Sequence, residues 1–148
     1  MNIAYETFLD FVKFAPLVSI DLIIRDDSGM VLLGKRTHRP AQGYWFVPGG
    51  RIVKNENIDQ AIRRISTIEI GQVFTRQQAA FCGVFEHFYQ ENFAAFPGIN
   101  THYVVLAYQI FLDVGVSVAA DHWHSELKWW DVEDLMESPL VHDNTKAY

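Results

Sequence analysis

A strand-like run that ends in two adjacent glycines and leads into an amphipathic helix constrains this chain more than any other feature. The segment is GYWFVPGGRIVKNE, residues 43–56. Adjacent glycines cost backbone entropy and supply no side chain for packing, so a Pro-Gly-Gly turn is expected where the backbone must approach another group closely. From Glu56 onward the period changes. Ile58, Ala61, Ile62, Ile65 and Ile68 recur at helical spacing, and Gly71 is placed to cap the helix C-terminus. Glu69 breaks the pattern. At about 100° per residue it returns to within about 20° of Ile58, at the C-terminal end of the apolar stripe. Burial and the helix dipole both disfavour an uncompensated carboxylate there. Such a group either bends out to water or is matched by a cation.

Around this unit the chain reads mostly as strands. LVSIDLIIRDDSGMVLLGKR predicts a hairpin about the turn cluster Asp26, Asp27, Ser28 and Gly29. THRPAQGY reads as a loop and WFVP as a short strand. Residues 79–89 and 102–114 read as further strands, ADHWHSEL as a loop, KWWDV as a short strand, and Val132 to Met136 as the start of a final helix. Tyr5, Phe8, Leu9 and Val12 predict an N-terminal amphipathic helix at about residues 5–14, suited to packing or a dimer contact. Strands on both sides of a single mid-chain helix indicate a mixed α/β sandwich. The 148 residues suffice for one domain, 1–148, with its own core.

Charge and cysteine content narrow the function. A formal net charge of −6 gives no overall attraction to nucleic acid, so an anionic ligand must be held by a local cation cluster. GKRTHR supplies such a cluster in Lys35, Arg36 and Arg39, three of the twelve basic residues. Cys82 is the only cysteine; its aromatic and aliphatic neighbours predict an inert, buried thiol. The N-terminus lacks the basic start and long apolar stretch of a signal peptide, and no apolar run is long enough to span a bilayer. These features predict a cytoplasmic protein that binds neither membrane nor nucleic acid.

Gly50, Glu56, Arg64, Glu69 and Gly71 fall at the spacing of the Nudix box, and over its strand-loop-helix core the chain resembles a Nudix hydrolase. Where a full box carries two further carboxylates, this helix has Ile65 and Ile68. One branch of the family, the GDP-mannose mannosyl hydrolases, has the same thinned box. PLVSIDLII, LLGKRTHRPAQGYWFVPGGR, HFYQENF, THYVVL and VHDNTKAY all resemble that branch, in order. The resemblance implies a Nudix-like α/β/α sandwich with a mixed sheet. It also implies a homodimer that binds Mg²⁺ and a GDP-sugar, GDP-mannose or GDP-glucose. Water would attack sugar C1 with inversion, releasing GDP and free hexose.

The same resemblance assigns roles to individual residues. His124 becomes the general base, as suits a group that titrates near neutrality. Arg36 and Arg51 become substrate-binding groups, Arg51 stabilising the departing diphosphate. Asp21, His87 and Tyr103 match further active-site positions, and Phe8 a nucleotide contact. Gly49, through its carbonyl, and Glu69 become metal ligands. Trp123 stands where the branch has a metal-binding glutamine, and indole cannot coordinate a cation. Water, His122 or Glu126 is then left to complete the shell. Two other functions remain open at this point: a Nudix pyrophosphatase giving GMP and sugar phosphate, and a GDP-sugar binding protein without turnover.

Overall fold

The computed structural model of the chain describes residues 4–113, Val118 and 124–148, with the main chain alone at His124 and Ser125. Its central element is β1 (Leu17–Arg25), buried on both faces along most of its length, as a near-continuous aliphatic run requires. β1 runs parallel to β6 (Thr101–Phe111), from Leu17 opposite Tyr103 to Arg25 opposite Phe111. Its other edge is shared. β4 (Gly49–Arg51) lies antiparallel beside Ser19, Ile20 and Asp21, and β2 (Val31–Arg36) pairs at Arg25. β2 in turn pairs with β3 (Trp45–Phe46) and β7 (His124–Trp130), while β5 (Ala80–Tyr89) runs antiparallel to β6. Among the described residues these strands form one seven-stranded mixed sheet.

Helices cover both faces, giving the expected α/β/α layering. On one side α2 (Ile58–Ile70) buries Ala61, Ile62, Ile65 and Ile70 against Ile20, Leu22, Ile24 and Leu32. On the other, Leu135 of α3 (Val132–Glu137) and Val141 join Trp45, Phe46, Trp130, Ile23 and Leu33. α1 (Tyr5–Phe14) sits at the edge, where Val12, Phe8 and Leu9 pack with Leu17, Ile99 and Phe93. Among the described residues no helix is long and apolar enough to cross a membrane.

Local chemistry sets the ends of α2. The Asn57 side chain accepts from Gln60 N while Gln60 reaches back to Asn57 N, so two otherwise orphan donors are satisfied. Gly71, at φ 73°, closes the C-terminus in the left-handed conformation anticipated for it. Glu56 and Arg64 form the principal tie between helix and sheet. Arg64 Nε and Nη2 donate to the two oxygens of Glu56 at 2.7 and 2.9 Å, and Nη2 also donates to Arg51 O at 2.7 Å. The pair therefore fastens α2 to the end of β4.

Three local expectations are corrected. Gly49 and Gly50 belong to strand β4 rather than to a turn. Part of the ADHWHSEL segment, His124 to Leu127, belongs to β7: pairing with β2 extends the strand into residues whose polarity suggests a loop, and residues 120–123 lie outside the described residues. Cys82 is exposed instead of buried, because β5 is an outer strand and Cys82 sits at the register shift between Phe81 and Gly83.

Glu56 is held below its ordinary pKa first by its hydrogen bonds from Arg64. A depressed carboxylate stabilises the fold above its unfolded pKa, and that contribution is lost as pH falls through the folded value. Glu56→Gln should therefore lower unfolding stability by about 1–3 kcal/mol at neutral pH. Urea denaturation should show the gap between variant and parent closing on acidification.

Candidate functional site

The two glycines meet different neighbours. A Cβ on Gly49 would collide with Asp21 Oδ1 and lie 2.6 Å from the Ile20 carbonyl oxygen. A Cβ on Gly50 would lie 3.1 Å from Ile65 Cγ1. Gly49 thus makes room for a carboxylate on the neighbouring strand, and Gly50 lets α2 pack close to β4. Ile65, one of the two aliphatic departures from the full box, is 1% exposed and fills that contact. The same two substitutions yield a prediction. Gly49→Ala should cost about 1–3 kcal/mol through overpacking against main chain and a buried carboxylate. Gly50→Ala should cost less, because the Ile65 side chain can shift. Equal losses in chemical denaturation would contradict this difference in confinement.

Asp21 is buried within β1, with Gly49 as its partner on one side and Ala107 on the other. The Tyr148 hydroxyl donates to Asp21 Oδ2 and also lies 3.2 Å from His87 Nε2. Burial raises the Asp21 pKa to about 7; Tyr148 and Arg36 pull it down and Glu69 pushes it further up. Burial, reinforced by nearby His142, lowers His87 to about 4, so its imidazole is neutral at pH 7. His87 is the cross-strand partner of Tyr103, which brings Asp21, His87 and Tyr103 to one face of the sheet.

Arg36 and Arg51 flank this face. Arg36 Nε donates to Pro40 O at 2.9 Å, and its guanidinium lies 5.9 Å from the Phe46 ring centroid. Arg51 lies 4.8 Å from the ring centroid of Phe8, which packs on Phe93 at 4.9 Å. Phe8 therefore reaches the site from α1 of the same chain. Burial raises the Tyr103 phenol, and both arginines oppose that shift, placing Tyr103 within electrostatic reach of each. Arg39, the third cation of its cluster, is engaged by Glu91 at 3.1 Å.

Glu69 stays on the apolar face of α2 and is 7% exposed, so it does not bend out to water. Its charge acts on Asp21 and Arg64. Asp21 and Glu69 are buried hard oxygen donors, and Gly49 leaves bare backbone beside Asp21; hard oxygen donors suit a hard divalent cation. Among the described residues no group of three or more His, Cys, Asp or Glu gathers at ligating range. The donor set suits a cation completed by water and substrate oxygens better than a cluster of several metals. His122 and Trp123 lie outside the described residues, and Glu126 is exposed on β7. The main chain of His124 is the β7 partner of Arg36.

Sequence reasoning missed Tyr89, His142 and Tyr148. The last two arrive on the C-terminal segment, which is stitched to β3: Trp45 N donates to Leu140 O at 2.8 Å and His142 N to Trp45 O at 3.1 Å. A short helix, α4 (Asp143–Lys146), follows, and Thr145 Oγ1 accepts from Val47 N. The quoted string VHDNTKAY contains both residues. Its only local signal is a histidine in an N-cap position two residues before Asn144.

A model of the NUDIX domain matches residues 15–148. The Low-salt glycan biosynthesis protein Agl8 of Haloferax volcanii is 43% identical over 118 residues, covering 79% of this chain and 72% of that protein. Solved structures share the fold. The MutT NUDIX hydrolase of Burkholderia pseudomallei is 29% identical with a TM-score of 0.70, covering 89% of this chain and 94% of its own. The NUDIX domain of Shewanella oneidensis NrtR, in complex with ADP ribose, is 20% identical with a TM-score of 0.67 and coverages of 95% and 92%. The MutT protein of Methanosarcina mazei is 18% identical, with a TM-score of 0.71 and 89% coverage of both chains.

Proposed function

The chain belongs to the Nudix family of hydrolases, and from that premise we propose that it hydrolyses a GDP-hexose, GDP-mannose or GDP-glucose, to GDP and free hexose. Water attacks sugar C1 on the face opposite the leaving group. The C1–O bond breaks, its electron pair goes to the β-phosphate oxygen of GDP, and the water proton goes to His124. The observation that carries this reading is the pairing of the His124 main chain with Arg36. It sets the strand that carries His124 alongside Arg36, which supports a base and a diphosphate-binding cation serving the same substrate.

The other roles follow from placement. Arg36 and Arg51 grip the diphosphate, since a guanidinium fork pairs with phosphate oxygens bidentately. Arg51 is braced by Phe8 on one side, and through its carbonyl by Arg64. Asp21, His87 and Tyr103 present hydrogen-bonding groups along the same face, with Tyr148 fixing Asp21. Gly49, through its carbonyl, and Glu69 would hold Mg²⁺, whose charge offsets the negative charge gathering on the departing GDP. Ile65 and Ile68 oppose attack at phosphorus by several metals, because neither can ligate one. A glycan-biosynthesis relative and a NUDIX relative bound to ADP ribose are both compatible with a nucleotide-sugar substrate. The homodimer belongs to the same proposal: Tyr5, Phe11 and Phe14 leave apolar surface of α1 exposed.

Incubation with GDP-mannose and Mg²⁺ in ¹⁸O-labelled water, followed by mass spectrometry, tests the point of attack. Label in free mannose beside unlabelled GDP is the expected result. GMP with mannose phosphate would make the protein a pyrophosphatase. Intact, bound GDP-mannose would make it a binding protein.

A further inference from the structure

We propose that the cleft bounded by Tyr44, Tyr89, Glu91 and His142 is the subsite for the hexose ring of a nucleotide sugar, with His142 Nε2 donating to a ring hydroxyl. This assignment rests on the substrate class proposed above, and it fixes which way round the substrate lies. The cleft is wide and open to solvent, with a volume of about 450 Å³.

The tautomer of His142 follows from its contacts. Nδ1 accepts a hydrogen bond from Asn144 N at 3.1 Å. A neutral imidazole whose Nδ1 is an acceptor carries its proton on Nε2 and donates from there. Burial and the nearby Arg36 charge hold this ring below the usual histidine range, while Asp143 opposes them. The ring is fixed among Tyr44, Phe46 and Tyr89, with centroids 5.1, 5.4 and 5.4 Å away. Glu91 secures the opposite wall by accepting from Ala41 N at 2.9 Å and pairing with Arg39. Tyr89 adds its phenol ring to the lining. Aromatic walls with a few fixed polar groups suit a pyranose, which offers C–H surface and hydroxyls together.

The two ends of the site differ in chemistry. At the Arg51 end stand Phe8 and Phe93, with Tyr5 edge-on to Phe93 at 5.3 Å. Flat aromatic surface of this kind suits stacking against a planar base. At the Arg36 end, Phe46 neighbours both the guanidinium and His142, and donors and hydroxyls predominate. A diphosphate spanning the two arginines would therefore direct its nucleoside toward α1 and its sugar toward His142. The His124 main chain also lies at the Arg36 end, which is the sugar end in this orientation.

His142→Asn separates binding from folding, because asparagine can still cap α4 through its side-chain oxygen but is too short to donate into the cleft. Thermal melting verifies that the variant is folded. Calorimetric titration with GDP-mannose and with GDP, in chelator so that no turnover occurs, gives the result. The variant should bind GDP-mannose roughly five- to tenfold more weakly, the loss of about one hydrogen bond, with GDP changed less than twofold. Unchanged GDP-mannose affinity, an equal loss for both ligands, or a parent protein that binds GDP-mannose no better than GDP would overturn the assignment. Product analysis of the parent separates this from the reaction. GMP release alongside a selective loss in the variant would keep the subsite and reject attack at carbon. GDP release without a selective loss would do the reverse.

Discussion

A carboxylate is buried in the central strand, and it is accommodated only because the residue facing it has no side chain. Asp21 opposite Gly49 is the constraint on which the rest of the site depends. The cost of burying such a group is high unless neighbours compensate it. Here the compensation comes from far along the chain: Tyr148 donates to it, and the charge of Arg36 acts on it. The carboxylate thus gathers β1, β2, β4 and the C-terminal segment around one point. Gly50 completes the arrangement from the other side by letting Ile65 bring α2, and with it Glu69, close to β4. A motif that reads as a flexible turn is in this protein a close-packed joint between two strands and a helix.

Much of this was legible in the sequence where the signal is local. The period of Ile58, Ile62 and Ile65 and the cap at Gly71 defined α2, and the aliphatic run of residues 17–25 defined the central strand. Asp21, Arg36, Arg51, His87, Tyr103 and Glu69 could be named because the chain resembles a family in which those positions matter; the fold sets Asp21, His87 and Tyr103 on one face of the sheet and carries Glu69 on α2. Asp21 also has a signal of its own, as a lone acid between isoleucine and leucine. His142 and Tyr148 escaped because their importance comes from pairing with β3 and β1 across most of the chain length. No period or short spacing encodes that. The strand character of His124 was hidden for the same reason: it comes from β2, not from the polar residues themselves. Cys82 was misjudged because aromatic neighbours in sequence suggest burial, whereas an outer strand leaves them exposed.

The site has two unlike ends joined by two arginines. Arg51 is supported by aromatic rings and by the Glu56–Arg64 tie beneath β4, so its position is coupled to the docking of α2. Arg36 is supported by Pro40 O and Phe46, and so by the loop that Glu91 holds in place. In the proposed function, this division would separate the work of holding a diphosphate from that of recognising what is attached to it. Positive charge fixed by the fold would then carry part of the load that a cluster of metals bears elsewhere.

The most direct test is a crystal structure of the protein with GDP and Mn²⁺, located by anomalous scattering. The predicted result is a cation between the Gly49 carbonyl and Glu69, with the diphosphate spanning Arg36 and Arg51. A cation bound elsewhere, or a diphosphate that touches neither arginine, would contradict the site described here.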